Sequence, residues 1–216
     1  MYWLRCRLRG RSERGAVAVE AALVTPILLI MVFGIVELTM LVRDDVALTS
    51  AVRNGGRTAS ADANSGQAGA AQGGDCEAGC DPVAAPLFAQ YAADAIERAG
   101  SALPRDSVQE LWIYKANDEG YPGPNGSKQW ICGTACIRYK WVASKDQFRY
   151  VSGTWMSKSI AACANQSPDM VGVYMKARHR FLTGMFGDSI DIDDHAVFGF
   201  EPLASNICAA NAVGRK

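Results

Sequence analysis

Histidine is scarce in this 216-residue chain: His179 and His195 are the only two. No nucleophile elbow, phosphate-binding loop or dinucleotide fingerprint occurs either. An enzyme is therefore not expected, and no cofactor is expected. Net charge is also absent, with 22 basic and 22 acidic residues. The balance is uneven, however. Before Ala16 stand five arginines (Arg5, Arg7, Arg9, Arg11, Arg14) against Glu13, which leaves the leader at +4. So short a basic block ahead of an apolar run points to the positive-inside rule rather than to nucleic acid, with the N-terminus in the cytoplasm.

Two further absences organise the chain. Charge is missing from Leu23 to Val36, and large apolar side chains are missing from Ser60 to Gly74. The first stretch lies within an apolar run from Ala16 to Val42, interrupted by Glu20, Thr25, Pro26, Glu37 and Thr39. Its 27 residues would extend roughly 40 Å as a helix, enough to cross a bilayer. The run is apolar all round, which argues against a helix half-buried in a soluble core. The nearest attractive small-residue cleavage site is Thr58-Ala59-Ser60-Ala61, beyond the polar segment Arg43–Arg57. A retained single-span anchor in the cell membrane is therefore expected, with the remainder extracytoplasmic. The stretch without large apolar residues cannot bury enough surface to order itself and reads as a flexible linker.

Cysteine usage agrees with that topology. Cys6 lies in the leader, and six others (Cys76, Cys80, Cys132, Cys136, Cys163, Cys208) fall on the outer side. An even number in an oxidising compartment predicts disulfides. Cys76–Cys80 and Cys132–Cys136 share one spacing. Local closure of each pair with Cys163 joined to Cys208 is one solution, and cross-linking of the two pairs is another. A four-sulfur zinc site would use the same spacing, but the compartment favours disulfides.

The first helix should continue past the span, through Val46, Leu48, Ala51 and Val52, and stop at Gly55-Gly56. A second helix is expected over Pro82–Ala102, capped by Asp81, with Leu87, Tyr91, Ala95 and Ile96 apolar. Strands are expected at Val108–Lys115, Trp130–Val142, Met170–Thr183 and Ser189–Phe200, with Phe148–Val151 a short partner. The last two would form a hairpin around Met185-Phe186-Gly187-Asp188. The class is α+β, a helix on an antiparallel sheet of about four strands behind a long N-terminal transmembrane helix. The divisions are 1–15 leader, 16–59 helix, 60–81 linker and 82–216 outer domain. His179, between Arg178 and Arg180, is expected on a solvated strand face. Asp191, Asp193, Asp194 and His195 read as a polar strand and turn. Trp112, Trp130, Trp141 and Trp155 read as core.

Glu20 sits in a segment that otherwise belongs in lipid, where an ionisable group is costly and signals function. Gly15 stands five residues before it. A prepilin-type peptidase needs a small residue at its cut, and cleavage after Gly15 would leave the amine of Ala16 one helical turn from Glu20. In a filament, an amine of a neighbouring subunit can compensate that carboxylate.

The run Arg14-Gly15-Ala16-Val17-Ala18-Val19-Glu20-Ala21-Ala22-Leu23-Val24-Thr25-Pro26, with Phe33-Gly34-Ile35-Val36-Glu37, resembles the N-terminal domain of TadE-like proteins, pseudopilins of the Tad (tight adherence) pilus system. The resemblance covers about residues 13–57 and includes the small-residue and arginine pattern of Ala51 to Arg57. A weaker similarity covers Val171 to Glu201, and none covers the cysteine-bearing middle. It implies a bitopic minor pseudopilin, cut between Gly15 and Ala16, with Glu20 and the second acid Glu37 serving assembly. The implied partners are a prepilin peptidase, the inner-membrane platform, other pilins or pseudopilins, and the bilayer. A signal-anchored extracellular binding protein outside any pilus is the competing expectation.

Overall fold

The computed structural model describes residues 14–64, 86–99, 102–156, 159–164 and 167–204. The chain divides into two compact units, Met1–Met40 and Leu41–Lys216. Helix α1, Arg14–Ala61, contains Pro26 and begins in the first unit. In the second unit follow α2 (Leu87–Ala99), β1 (Val108–Ala116), β2 (Cys136–Val142), β3 (Gln147–Thr154), β4 (Met170–Arg180) and β5 (Ser189–Gly199). The five strands form one antiparallel sheet in the order β3-β2-β1-β4-β5. The class is thus α+β, with five strands where about four were expected. The extra strand is the short partner at Phe148–Val151, which extends to eight residues along β2.

The sheet is two-sided. On one face, Leu111, Ile113, Ile137, Val171, Val173, Met175 and Ala177 pack with Leu48, Ala51 and Val52 of α1 and Phe88, Ala92 and Ile96 of α2. Phe88, Trp155 and Phe200 meet edge to face there, with centroids 5.0 to 5.8 Å apart. The small side chains of α1 and α2 let their backbones approach closely. The opposite face holds Trp112, Tyr114, Ala116, Cys136 and Tyr174, with Trp130 laid over them.

Several boundaries differ from expectation, among them β4, which ends at Arg180 and not at Thr183. Helix α1 does not stop at Gly55-Gly56 but runs to Ala61. The glycines are contact points instead: a Cβ on Gly55 would lie 2.5 Å from Ile96 Cγ1, and one on Gly56 2.5 Å from Phe198 Cδ2. Strand β2 begins at Cys136, not at Trp130. Ala135 takes a φ of 51°, which breaks the extended alternation and lets Trp130 cross the sheet. Helix α2 begins at Leu87, after Pro86 accepts from the Ala89 and Gln90 amides. The expected cap Asp81, the start at Pro82 and most of the linker 60–81 lie outside the described residues.

In an ordinary helix interior Gly→Ala stabilises by up to about 1 kcal/mol. Gly56→Ala should instead destabilise by about 1–3 kcal/mol, because the rigid Phe198 ring must move. Denaturant unfolding of the detergent-extracted protein checks this, with Gly133→Ala, whose Cβ meets nothing within 4 Å, as the reference.

Candidate functional site

The first unit offers an apolar helix surface. Leu23, Ile27, Met31 and Ile35 are each more than 60 % exposed, and nothing is buried in the most apolar window. By length and composition this helix suits a membrane crossing. The hydroxyl of Thr39 donates to the carbonyl of Ile35 at 2.7 Å, so it needs no partner from outside the helix. Gly15, Ala16 and Glu20 are all exposed, and Ala16 and Glu20 are one turn apart. Among the described residues, no hydrogen bond or ion pair is seen at Glu20. Glu20 is thus open to an external partner. Glu37 is only 1 % exposed.

Asp44, two residues beyond the apolar run, meets a histidine. Its Oδ2 lies 2.7 Å from His179 Nδ1, with side-chain exposures of 13 % and 4 % respectively. His179 is thus buried, against the expected solvated face. The parity of β4 explains this: Val171, Val173, Met175, Ala177 and His179 all point to the helices, while Arg178 and Arg180 point away. Nearby, Arg43 donates to the Ala102 carbonyl at 3.0 Å, also within the second unit.

The four tryptophans are packing residues. Trp155 is 2 % exposed in the main core, and Trp141 packs on Phe148 beneath the Arg105 guanidinium. Trp112 tilts against Tyr174 with Arg138 over its ring, and Trp130 stacks on Tyr174 at 4.7 Å. Burial pushes the Tyr174 hydroxyl up to about 12, reinforced by Asp193, Glu110 and Asp191. Tyr114, also raised by burial, donates to the Gly120 carbonyl at 2.8 Å. The turn that carries Trp130 is ordered by Asn117. Its amide donates to the Pro124 and Ser127 carbonyls, and its Oδ1 accepts from the Glu119 and Tyr121 amides.

The acidic strand β5 behaves as a polar face. Arg178 first, then Lys176, hydrogen-bond Asp191 and hold its carboxyl down to about 2. Asp194 accepts from the His195 amide, and the His195 ring meets the edge of Trp130. Cys132 and Cys136 form a disulfide, so neither thiol is free for a four-sulfur site. Cys163 is disulfide-bonded as well. Cys76, Cys80 and Cys208 lie outside the described residues, as does Cys6.

Residues 15–57 match the family described as TadE-like protein. The chain therefore carries a TadE-like domain, characteristic of a Tad pilus-associated pseudopilin family, over the apolar helix and its continuation to Arg57. The matched segment does not include Val171–Glu201. No curated protein and no solved structure matches the chain.

Proposed function

We propose that this TadE-like chain is a non-enzymatic minor pseudopilin, cut after Gly15 by a prepilin peptidase and acting in assembly or initiation of a Tad-type pilus used for adherence. The observation that carries the reading is Glu20, an exposed carboxylate in an apolar helix inside the segment that matches the family. In lipid such a group is costly, and the amine freed at Ala16 of a neighbouring subunit offsets the cost on assembly. The five arginines of the leader favour a cytoplasmic N-terminus and an extracytoplasmic disulfide-bonded domain. Partners in this reading are the peptidase, the inner-membrane platform, other pilins or pseudopilins, and the bilayer. A protein that binds through aromatic rings would need a free aromatic surface, and the tryptophans of the sheet are engaged in packing.

In cells that hold the cognate peptidase, intact-mass measurement of the membrane-extracted protein should give a chain starting at Ala16. Gly15→Val should leave the leader attached, since a β-branched residue obstructs the extended backbone at the cut. An intact Met1 start in the unaltered protein rejects processing. Glu20→Ala should insert and be cut normally yet fail to assemble; normal assembly removes the role given to this acid.

A further inference from the structure

The sheet carries a groove over β1, β2 and β3, wholly within the second unit. Gln109, Glu110 and Trp112 of β1, Arg138 and Lys140 of β2 and Ser152 of β3 line it. Its volume is about 420 Å³, and small-molecule sites run from about 300 to about 1,000 Å³.

Charge is unevenly neutralised across this face of the sheet. On β4, Lys176 and Arg178 both reach Asp191, at 3.1 and 2.7 Å. The cations of β2 and β3 have no such partner. Lys140 stands directly opposite Arg149 in the register, so two like charges occupy neighbouring positions on one face. That juxtaposition is destabilising, and an anion between the two would relieve it. Among the described residues, neither side chain makes a hydrogen bond or an ion pair. Arg138, two residues before Lys140 and on the same face, is already held in place. Its guanidinium lies 5.7 Å from the Trp112 ring centre and donates to the Cys132 carbonyl at 3.1 Å. The Cys132–Cys136 disulfide ties that carbonyl to the start of β2.

The remaining groups narrow the ligand. Glu110, half-buried, can only accept hydrogen bonds as a carboxylate, so it calls for donors. The Gln109 carbonyl, oriented by Arg178 Nε at 3.0 Å, leaves the amide NH2 free to donate. The Ser152 hydroxyl does both. Hydroxyl groups on a ligand satisfy all three. A phosphate chain brings no donors and is repelled by Glu110. The bases of single-stranded nucleic acid need an open ring to stack on, and Trp112 is only 9 % exposed. An acidic peptide brings carboxylates but spreads its N–H donors one to a residue. A sugar acid carries a carboxylate and several hydroxyls on one ring.

We propose that this groove binds a saccharide built of uronate units. The sugar carboxylate sits between Lys140 and Arg149 with Arg138 alongside, and the hydroxyls meet Glu110, Gln109 and Ser152. Arg138 suits a carboxylate because its N–H groups form a planar fork. Val151, 51 % exposed beside the groove, offers an apolar edge to the C–H side of the ring. The site uses the sheet alone and does not depend on cleavage after Gly15.

Isothermal titration calorimetry of the full chain in non-ionic detergent tests this. The probes are a galacturonate tetramer, the same tetramer as its methyl ester, hexaglutamate and oligothymidylate. The free tetramer should bind at least about tenfold tighter than the other three. Lys140→Gln and Arg149→Gln should each weaken it about fivefold. Lys176→Gln removes the same charge from a neutralised position and should change it less than about twofold. Glu110→Gln should weaken it about threefold by removing a hydroxyl acceptor, whereas general attraction of polyanions predicts tightening. Lys140→Gln should not lower the unfolding midpoint, since it relieves repulsion. A lowered midpoint shows Lys140 to be neutralised within the chain and overturns the proposal. No binding of the tetramer up to about 10 mM overturns it too, as does equal binding of the uncharged ester. Equal binding of hexaglutamate or of oligothymidylate overturns it in favour of an acidic peptide or of nucleic acid. Tighter binding by the Glu110→Gln variant, or equal losses at Lys140 and Lys176, overturns it in favour of a general patch of positive charge.

Discussion

Asp44→Ala should cost about 3 kcal/mol, the upper end of the loss expected when a buried polar group is left without its hydrogen-bond partner. His179 Nδ1 would lose its 2.7 Å partner, and its Nε2 is already buried without one among the described residues. Asp44→Asn keeps an acceptor and should cost less, about 1–2 kcal/mol. His179→Leu alone leaves the Asp44 carboxylate without its partner and should also be severe. The pair Asp44→Leu with His179→Leu should recover a large part of either single loss, because apolar replacement of both partners can be nearly neutral. Guanidinium unfolding followed by tryptophan fluorescence gives these values as shifts in midpoint at constant slope. Additive single losses would show that the two residues do not act as a pair. The pair joins α1 to the sheet within the second unit.

Gly153→Ala should destabilise by about 3 kcal/mol through two effects that reinforce one another. Gly153 takes a φ of 98°, a conformation that alanine adopts only with strain. A Cβ there would also run into the Cys136 carbonyl, a backbone group of the neighbouring strand that cannot swing aside as a side chain can. Gly126→Ala separates the two effects. Gly126 has a φ of 84° and nothing within 4 Å of its Cβ, so it should lose only the backbone share, about 1 kcal/mol. Comparable losses at both positions would remove the contact with β2 from the account. The site matters because the Tyr150 hydroxyl donates to the Gly153 carbonyl at 2.7 Å and because β3 is an edge strand, held to the sheet only by β2.

Much of the architecture was legible because it depends on local pattern. Alternation in Met170–Thr183 and Ser189–Phe200 marked a hairpin, which the structure contains as Met170–Arg180 and Ser189–Gly199. The same alternation, carried two residues beyond Ala177, places His179 on the helix face. The flanking arginines obscured that, since two charges beside a histidine suggest a solvated run. Gly55-Gly56 misled for a related reason. A glycine pair signals a helix stop when only the chain itself is considered, whereas here Ile96 and Phe198 require the missing side chains. Trp130 extended the predicted β2 because aromatic residues favour strands, but it serves to cover Tyr174 from a turn organised by Asn117.

What the sequence by itself determined is the anchor and its flanks: a basic leader, a charge-free span, an acid one turn past Ala16, and a mixed α and β domain after it. These follow from transfer energies and periodicity, which need no distant contact. Only the tertiary structure decided that Asp44 and His179 form a buried pair and that Gly55 and Gly56 are packing contacts rather than a helix stop. Asp44 and His179 are 135 residues apart in the chain. Their meeting depends on which face of α1 packs on which face of β4, a choice made by the shape of the whole core.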